Sequence, residues 1–307
     1  MQKKFFPEGG LYNLAHNKKA LSCESALAEA AARAEIIEAY ATGCDAGHNL
    51  IVNLGFMKGI IPRCEGAVGI ADGTVRDIAL ISRVGKAVSF IIDGFSYDGA
   101  GNKIALLSRR RAQEICLTEY ISYLSAGDII DARVTHLENF GAFCDIGCGC
   151  IALLPIDSIS VSRISHPSDR FLAGDNIKVV VKSIVDGKIT LSMKELLGTW
   201  KQNADLFAQG ETVSGIVRSV ETYGIFVELA PNLAGLAESK PGVTAGEQAS
   251  VYIKSILPDK MKVKLIIIDS FAPTADREPL KYYLDRAHIT SWRYSPDSSS
   301  RTVESIF

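Results

Sequence analysis

Residues 127–147 read GDIIDARVTHLENFGAFCDIG, and residues 210–230 read GETVSGIVRSVETYGIFVELA, the same length with no gap. Gly127/Gly210, Val134/Val217, Glu138/Glu221, Gly141/Gly224 and Phe143/Phe226 are identical between the copies, and most other positions exchange like for like. Self-similarity at a fixed offset marks a repeat architecture and has to be read before anything else. Each copy supplies two strand candidates, 129–136 and 139–146 in the first, joined by a turn at the aromatic–glycine pair.

Working outward, the first copy opens a unit over 125–197, whose further strands are 151–154, 177–184 and 188–192. Its longer connection, 156–174, is expected to hold a short helix. The second copy opens a similar unit over 209–270 with a shorter connection, and 198–208 links the two. Upstream, 35–108 offers strands at 36–42, 50–54, 60–62, 86–93 and 103–107. Leu50, Val52 and Leu54 alternate there with Ile51 and Asn53, the period of a half-buried strand. A turn is expected at Gly43. The run DGAGNK (98–103) has too few carboxylates for a calcium loop and reads as a turn. Residues 109–124, with three arginines first, form a helical linker. Residues 1–34 comprise an extended arm of about twenty residues and an alanine-rich helix capped by Ser22 or Ser25, with Leu27, Ala31 and Ala34 near one face. A tail, 271–307, follows. Five short strands with a long third-to-fourth connection suit a small Greek-key barrel. The expected class is mainly β, with three tandem five-stranded barrels, an N-terminal helix and a helical linker.

Composition narrows the function. The 307 residues are 47% hydrophobic and 22% charged, with a net charge of −2. Most of such a chain is expected to fold, and without a strongly basic segment it is not expected to grip duplex DNA mainly through its phosphates, whereas holding single strands by stacking stays open. No apolar run approaches the roughly 18 residues that span a bilayer, so a cytoplasmic protein is expected. Seven cysteines form no disulfide framework. Cys144, Cys148 and Cys150 crowd one turn, but structural zinc takes four ligands and no fourth Cys or His lies nearby in sequence. They read as small, half-buried turn residues, with no metal or other cofactor.

The pattern G-(acidic)-x-V-x-x-x-V, (aromatic)-G-x-F-(V/C)-(acidic)-(I/L), then K-I-T-L-S-x-K, resembles the S-one RNA-binding domain, an OB-fold repeat of bacterial ribosomal protein S-one. The matches are NFGAFCDIG with DGKITLSMKE in the middle unit and TYGIFVEL with MKVKLIII in the last; LIVNLGFMKGIIPR resembles a degenerate first repeat. The order of parts resembles the compact S-one-like proteins of some Gram-positive bacteria. The resemblance implies single-stranded RNA, mRNA above all, as ligand and the small ribosomal subunit as partner, with no membrane and a monomeric chain.

Alternation reaches a similar place. Ala142, Cys144 and Ile146 share the parity of the barrel interior, which puts Phe143 outside with Asp145 on a polar face; Ile225, Val227 and Leu229 likewise put Phe226 outside with Glu228. Phe140 and Tyr223 lie three residues earlier, so a bulge or bend near Gly141 and Gly224 is needed to bring each aromatic pair to one face. The resemblance makes these pairs the stacking platforms, with Lys188 and Lys262 at the fifth-strand basic position and Lys260 and Arg133 as further candidates. Packing of the rings against a neighbouring unit is the competing reading.

Departures from the family shape the expectation. A histidine common at the end of strand three is Pro155 in the middle unit and Glu238 in the last. In the first unit His48 and Ile51 stand at the aromatic positions, so that unit reads as a docking barrel and His48 as a surface loop residue. The tail interleaves aromatic and basic residues, Tyr282, Tyr283, His288, Trp292, Arg293 and Tyr294, as single-strand binders can, but the favoured reading is that it folds back and completes the last unit's packing, with 296–300 flexible. There is no nucleophile elbow, phosphate loop or metal dyad, and no enzyme is expected. A translation-linked RNA binder leads over a free RNA regulator and a protein-interaction scaffold.

Overall fold

The computed structural model describes residues 5–272 and 279–307; residues 1–4 of the arm and 273–278 of the tail lie outside it. Two short helices, α1 (Ala15–Ala20) and α2 (Glu24–Ala32), precede β1 (Ile37–Cys44), β2 (Leu50–Asn53), β3 (Lys58–Ile61), the one-turn α3 (Ile78–Ile81), β4 (Ala87–Tyr97) and β5 (Lys103–Ser108). After α4 (Arg109–Glu119) come β6 (Ile129–Glu138), β7 (Gly141–Asp145), β8 (Ile151–Pro155), β9 (Asn176–Val185) and β10 (Lys188–Ser192). Helix α5 (Trp200–Ala204) leads to β11 (Thr212–Glu221), β12 (Gly224–Ala230), β13 (Leu233–Ala237), β14 (Gln248–Leu257) and β15 (Lys262–Phe271). The tail ends in a hairpin of β16 (Ser291–Arg293) and β17 (Glu304–Ile306).

Each group of five strands closes into a barrel in the order first–second–third–fifth–fourth. Neighbours are antiparallel where the register is resolved, except that the third and fifth strands run parallel. That closure removes sheet edges, the usual liability of small β domains. The mainly β, three-barrel class read from the sequence is the observed one. No helix among the described residues is long and apolar enough to cross a membrane.

The chain forms two compact units, one of residues 1–124 with 131–133 and 144–151, the other of 125–130, 134–143 and 152–307. In the first, inward residues of the first barrel (Ala39, Ala41, Leu50, Val52, Val88 and Phe90) meet Leu27 and Ala30 of α2 in one core. Glu8 is buried there, taking Arg109 Nε at 2.6 Å and Nη2 at 3.0 Å, and Arg83 at 3.3 Å. Burial pushes its carboxyl up, but Arg109 and then Arg83 hold it below its ordinary value. In the second unit Trp200, Ala204, Val217, Ile225, Val227 and Ile253 share a core with Ile289, Trp292 and Tyr294 of the tail. The Tyr294 hydroxyl donates to the Asn232 carbonyl at 2.5 Å, and the tail completes the packing of its own unit, as expected.

Several local expectations are corrected. The arm is not extended throughout, because residues 15–20 close a helical turn with Asn17 buried inside it. Neither Ser22 nor Ser25 caps α2: Cys23 occupies the cap position and makes no side-chain capping bond, and Ser25 lies in the first turn. Leu27 and Ala30, not Ala31 and Ala34, form the fully buried face, and Ala34 turns left-handed at φ 46° to end the run. Strand β1 passes Gly43 to Cys44 by a bulge between Ala41 and Gly43. Strand β7 begins at Gly141 rather than 139, because Asn139 and Phe140 are spent on the turn. Residues 198–208 are more than a linker, since Trp200 near their start is a core residue. Residues 296–300, whose expected flexibility is a separate matter, lie in the connection between β16 and β17, where the Ser299 N–H donates to the Pro296 carbonyl at 3.0 Å.

Candidate nucleic-acid interface

The aromatic–glycine motif builds the same object twice. Phe140 and Phe143 stand with ring centroids 6.0 Å apart at 89°, and Tyr223 and Phe226 at 6.1 Å and 85°. The turn residue is the more open of each pair, Phe140 at 55% and Tyr223 at 68% exposure, while both strand rings are half-buried. Both pairs lie in the second compact unit.

The glycines act by close approach. A Cβ on Gly141 would stand 2.5 Å from the Leu154 carbonyl oxygen, and one on Gly224, at φ 151°, 2.6 Å from that of Ala237. Only hydrogen lets the second strand lie this near the third. The bend expected at the glycine is elsewhere in the last barrel: the register slips between Val217 and Ser219 on β11, opposite Phe226. In the middle barrel the Phe140 carbonyl accepts the Ile156 N–H at 2.9 Å, and the Phe143 carbonyl accepts the Thr135 hydroxyl at 3.0 Å.

The carboxylates sharing the rings' parity are not on an exposed polar face. Asp145 is 1% and Glu228 5% exposed. Asp145 accepts N–H bonds from Glu8, Gly147 and Gly149 at 2.7, 2.8 and 3.0 Å. Glu228 accepts from Arg170 at 2.6 Å and twice from Arg218, at 2.9 and 3.1 Å. Arg218 also lies 3.4 Å from Asp169, so the β8–β9 connection is tied by charge to β11 and β12. Burial lowers the pKa of Arg170 most, Glu228 opposes that, and Arg218 adds to the lowering.

The basic candidates fall in different places. Lys188 and Lys262 are exposed at the starts of β10 and β15, and Lys260 is exposed in the turn before β15. Arg133 is half-buried, its guanidinium packed where a Cβ on Gly9 would come within 2.8 Å, so it is engaged with the arm. Two residues escaped the sequence reading. His136 stacks on Phe143 at 6.4 Å and 20° and bonds Glu138 at 2.7 Å, adding a third ring to the middle barrel. In the last barrel, cross-strand pairing sets Ser219, Phe226, Leu236 and Lys264 in one row. Lys264 thus meets the platform in register, with Lys262 one pleat further along. The alternation of KVK at 262–264 carried that signal. Glu238 is exposed, 4.0 Å from Lys254, and Pro155 ends β8. His48 sits in a loop at φ 61° with Nδ1 3.1 Å from Asp77.

The cysteine turn gains a partner that sequence proximity did not offer. Interaction of Cys116 of α4 with Cys148 and then Cys150, followed by burial, pushes its thiol far above the ordinary range. Cys144 is pushed up to about 12 by burial and then by Asp145. These two thiols stay protonated at neutral pH and are poor nucleophiles. Cys144 and Cys148 are fully rather than half buried. Among the described residues no group of three or more His, Cys, Asp or Glu is arranged to hold a metal ion.

Residues 123–194 match the family model of the S1 RNA binding domain, a span that contains the whole middle barrel with its platform. Over 279 residues, 84% of this chain and 62% of the relative, the sequence is 29% identical to the small ribosomal subunit protein bS1 of Leuconostoc lactis. Over 251 residues, 76% of this chain and 61% of the relative, it is 29% identical to that of Staphylococcus epidermidis. The chain therefore spans about three-fifths of the length of these curated relatives.

Proposed function

We propose, with the middle barrel an S1 RNA-binding domain, that this chain is a non-catalytic single-stranded RNA binder that acts on mRNA in translation at the small ribosomal subunit. The second and third barrels hold RNA, and the first is the docking unit. The observation that carries this reading is the pair of perpendicular aromatic platforms at equivalent positions of two barrels, each with one ring open to solvent. A base has a π-face whatever its identity, so stacking tolerates sequence and contributes about 1–3 kcal/mol per base. In the middle barrel Phe140, Phe143 and His136 take bases and Lys188 the backbone. In the last, Tyr223 and Phe226 take bases, with Lys264, Lys262 and Lys260 for phosphates. Arg133, held against the arm, contributes least. The net charge of −2 suits a ligand gripped by few ion pairs.

The test is the double variant Phe143→Ala, Phe226→Ala, titrated with an unstructured RNA and checked by circular dichroism. Binding should fall by at least about twenty-five-fold if each ring contributes its lower-bound fivefold, and co-sedimentation with small subunits should persist through the first barrel. Unchanged RNA affinity in a folded double variant would leave a protein-interaction scaffold as the better reading.

A further inference from the structure

The first barrel lacks aromatics at the two platform positions, yet it carries a perpendicular aromatic pair of its own. Tyr12 of the arm and Tyr40 of β1 stand 4.8 Å apart at 83°, with 37% and 44% of their surfaces exposed. The two platforms described above meet at 85° and 89°. Three barrels thus each present an edge-to-face pair, and the first draws its rings from a different pair of segments.

This pair is built rather than incidental. Glu38 on β1 is fully buried and accepts the N–H groups of Gly9, Leu11 and Tyr12 at 2.7, 3.0 and 2.8 Å. Asn17, also fully buried, takes the Glu38 N–H at 2.7 Å and donates to its carbonyl at 2.9 Å. Two buried polar side chains therefore stitch the arm to β1 at the point where Tyr12 meets Tyr40. Fixing a ring in advance reduces the ordering cost of whatever stacks on it.

The surroundings have the chemistry of a nucleotide. Cross-strand pairing places Tyr40 beside Asn53 and Asn53 beside Lys58. All three are exposed, so aromatic, amide and ammonium form one row across β1, β2 and β3. The Asn53 Oδ1 accepts the Gly55 N–H at 2.9 Å, and its NH2 has no partner among the described residues. Lys58 makes no ion pair within 4.0 Å among the described residues, although its charge helps lower the pKa of Asp98 behind hydrogen bonds from Asn102. A shallow groove of about 270 Å³ is lined by Asn53 and Lys58, the far end of the row from Tyr40, with the exposed Phe56 on its wall. In the last barrel the row Phe226, Leu236, Lys264 has the same sense, aromatic to lysine, one strand further on.

We propose that Tyr12 and Tyr40 form a third stacking site for single-stranded RNA, on the first barrel, with Asn53 addressing a base edge and Lys58 a phosphate. This rests on the RNA-binding reading of the other two barrels and extends it to a barrel that the motif excludes. A protein partner is disfavoured by the row itself: stacking ring, neutral amide and exposed ammonium at strand spacing match base, base edge and backbone.

The experiment uses the full chain and uridine-rich RNA carrying 4-thiouridine, crosslinked by light and mapped by peptide mass spectrometry. Crosslinks are expected on peptides containing Tyr12 or Tyr40, besides those containing Phe143 and Phe226. Tyr40→Leu should remove the first-barrel crosslinks and leave the others. In a Phe143→Ala, Phe226→Ala background it should also weaken residual RNA binding at least about fivefold, whereas Tyr40→Phe keeps it. Crosslinks on the second and third barrels alone, or equal residual affinity for Tyr40→Leu and its parent, overturn this proposal and leave the general one standing. Crosslinks on no barrel overturn both.

Discussion

Replacing Glu228 with alanine tests how the second compact unit is held together. Glu228 sits two residues beyond the Phe226 ring and is 5% exposed. Its two oxygens take three bonds, from Arg170 at 2.6 Å and Arg218 at 2.9 and 3.1 Å. The arginine side chains are themselves only 5% and 10% exposed. Together with Asp169, the group is two cations against two anions. Removing Glu228 leaves two buried guanidinium groups sharing one carboxylate that is 26% exposed. Breaking a buried pair by deleting one partner costs about 3–5 kcal/mol, because the remaining charge cannot regain water. Both tryptophans of the chain, Trp200 and Trp292, lie in the core of this unit, so their fluorescence follows its unfolding directly. With a urea dependence of about 1–3 kcal/mol per molar, the midpoint should fall by at least about 1 M. A shift below about 0.3 M would mean that the arginines reach water in the folded state and that the network carries no such load. Glu228→Gln should fall between, since the amide keeps one acceptor but not the charge.

The first unit has its own buried ion pair with a pH signature. Glu8→Gln strands Arg109 and should cost about 3–5 kcal/mol in hydrogen exchange of that unit's amides. Glu8 is held below its ordinary value of 4.5, so its contribution is present above that pH and lost as pH falls below it; the wild type should lose stability there while the variant stays flatter. Gly224→Ala should push β12 from β13, because the methyl would meet the Ala237 carbonyl at 2.6 Å. A loss of about 1–3 kcal/mol and weaker RNA binding are expected, measured against Gly99→Ala, where the methyl meets nothing within 4 Å; equal behaviour of the two variants refutes the close-approach role.

What the sequence revealed about the site is what has period two. Phe143 and Phe226 could be placed outside their barrels because Ala142/Cys144 and Ile225/Val227 fill the inside, and a strand offers each residue one of two faces. Barrel closure followed from the repeat. The partners of the outer face were illegible, since they come from distant chain. Asp145 is capped by a backbone N–H 137 residues upstream, and Glu228 by an arginine 58 residues upstream. His136 and Lys264 were missed for the same reason: their proximity to Phe143 and Phe226 arises across strands, not along them. Tyr12 reaches Tyr40 only through Glu38 and Asn17, a pairing that no local pattern announces.

The buried acids explain why a stacking ring and a carboxylate can share one face. Residues two apart on a strand are about 7 Å apart, just within the roughly 8 Å screening length at physiological salt. An exposed carboxylate beside Phe143 or Phe226 would oppose every phosphate that follows a stacked base. Covering Asp145 with N–H donors from the arm and its own turn, and Glu228 with Arg170 and Arg218, would remove that repulsion from the surface proposed to face RNA. In both barrels the acid anchors the segment that precedes it, so one substitution at this position should disturb two things at once: the packing of the preceding segment and the charge that the RNA meets. In the last barrel, loss of Glu228 would also free positive charge beside Phe226, so Glu228→Ala should lower stability while sparing or strengthening RNA affinity in the molecules that remain folded. A parallel fall of both would mean that the ring's position, rather than the charge around it, depends on the network.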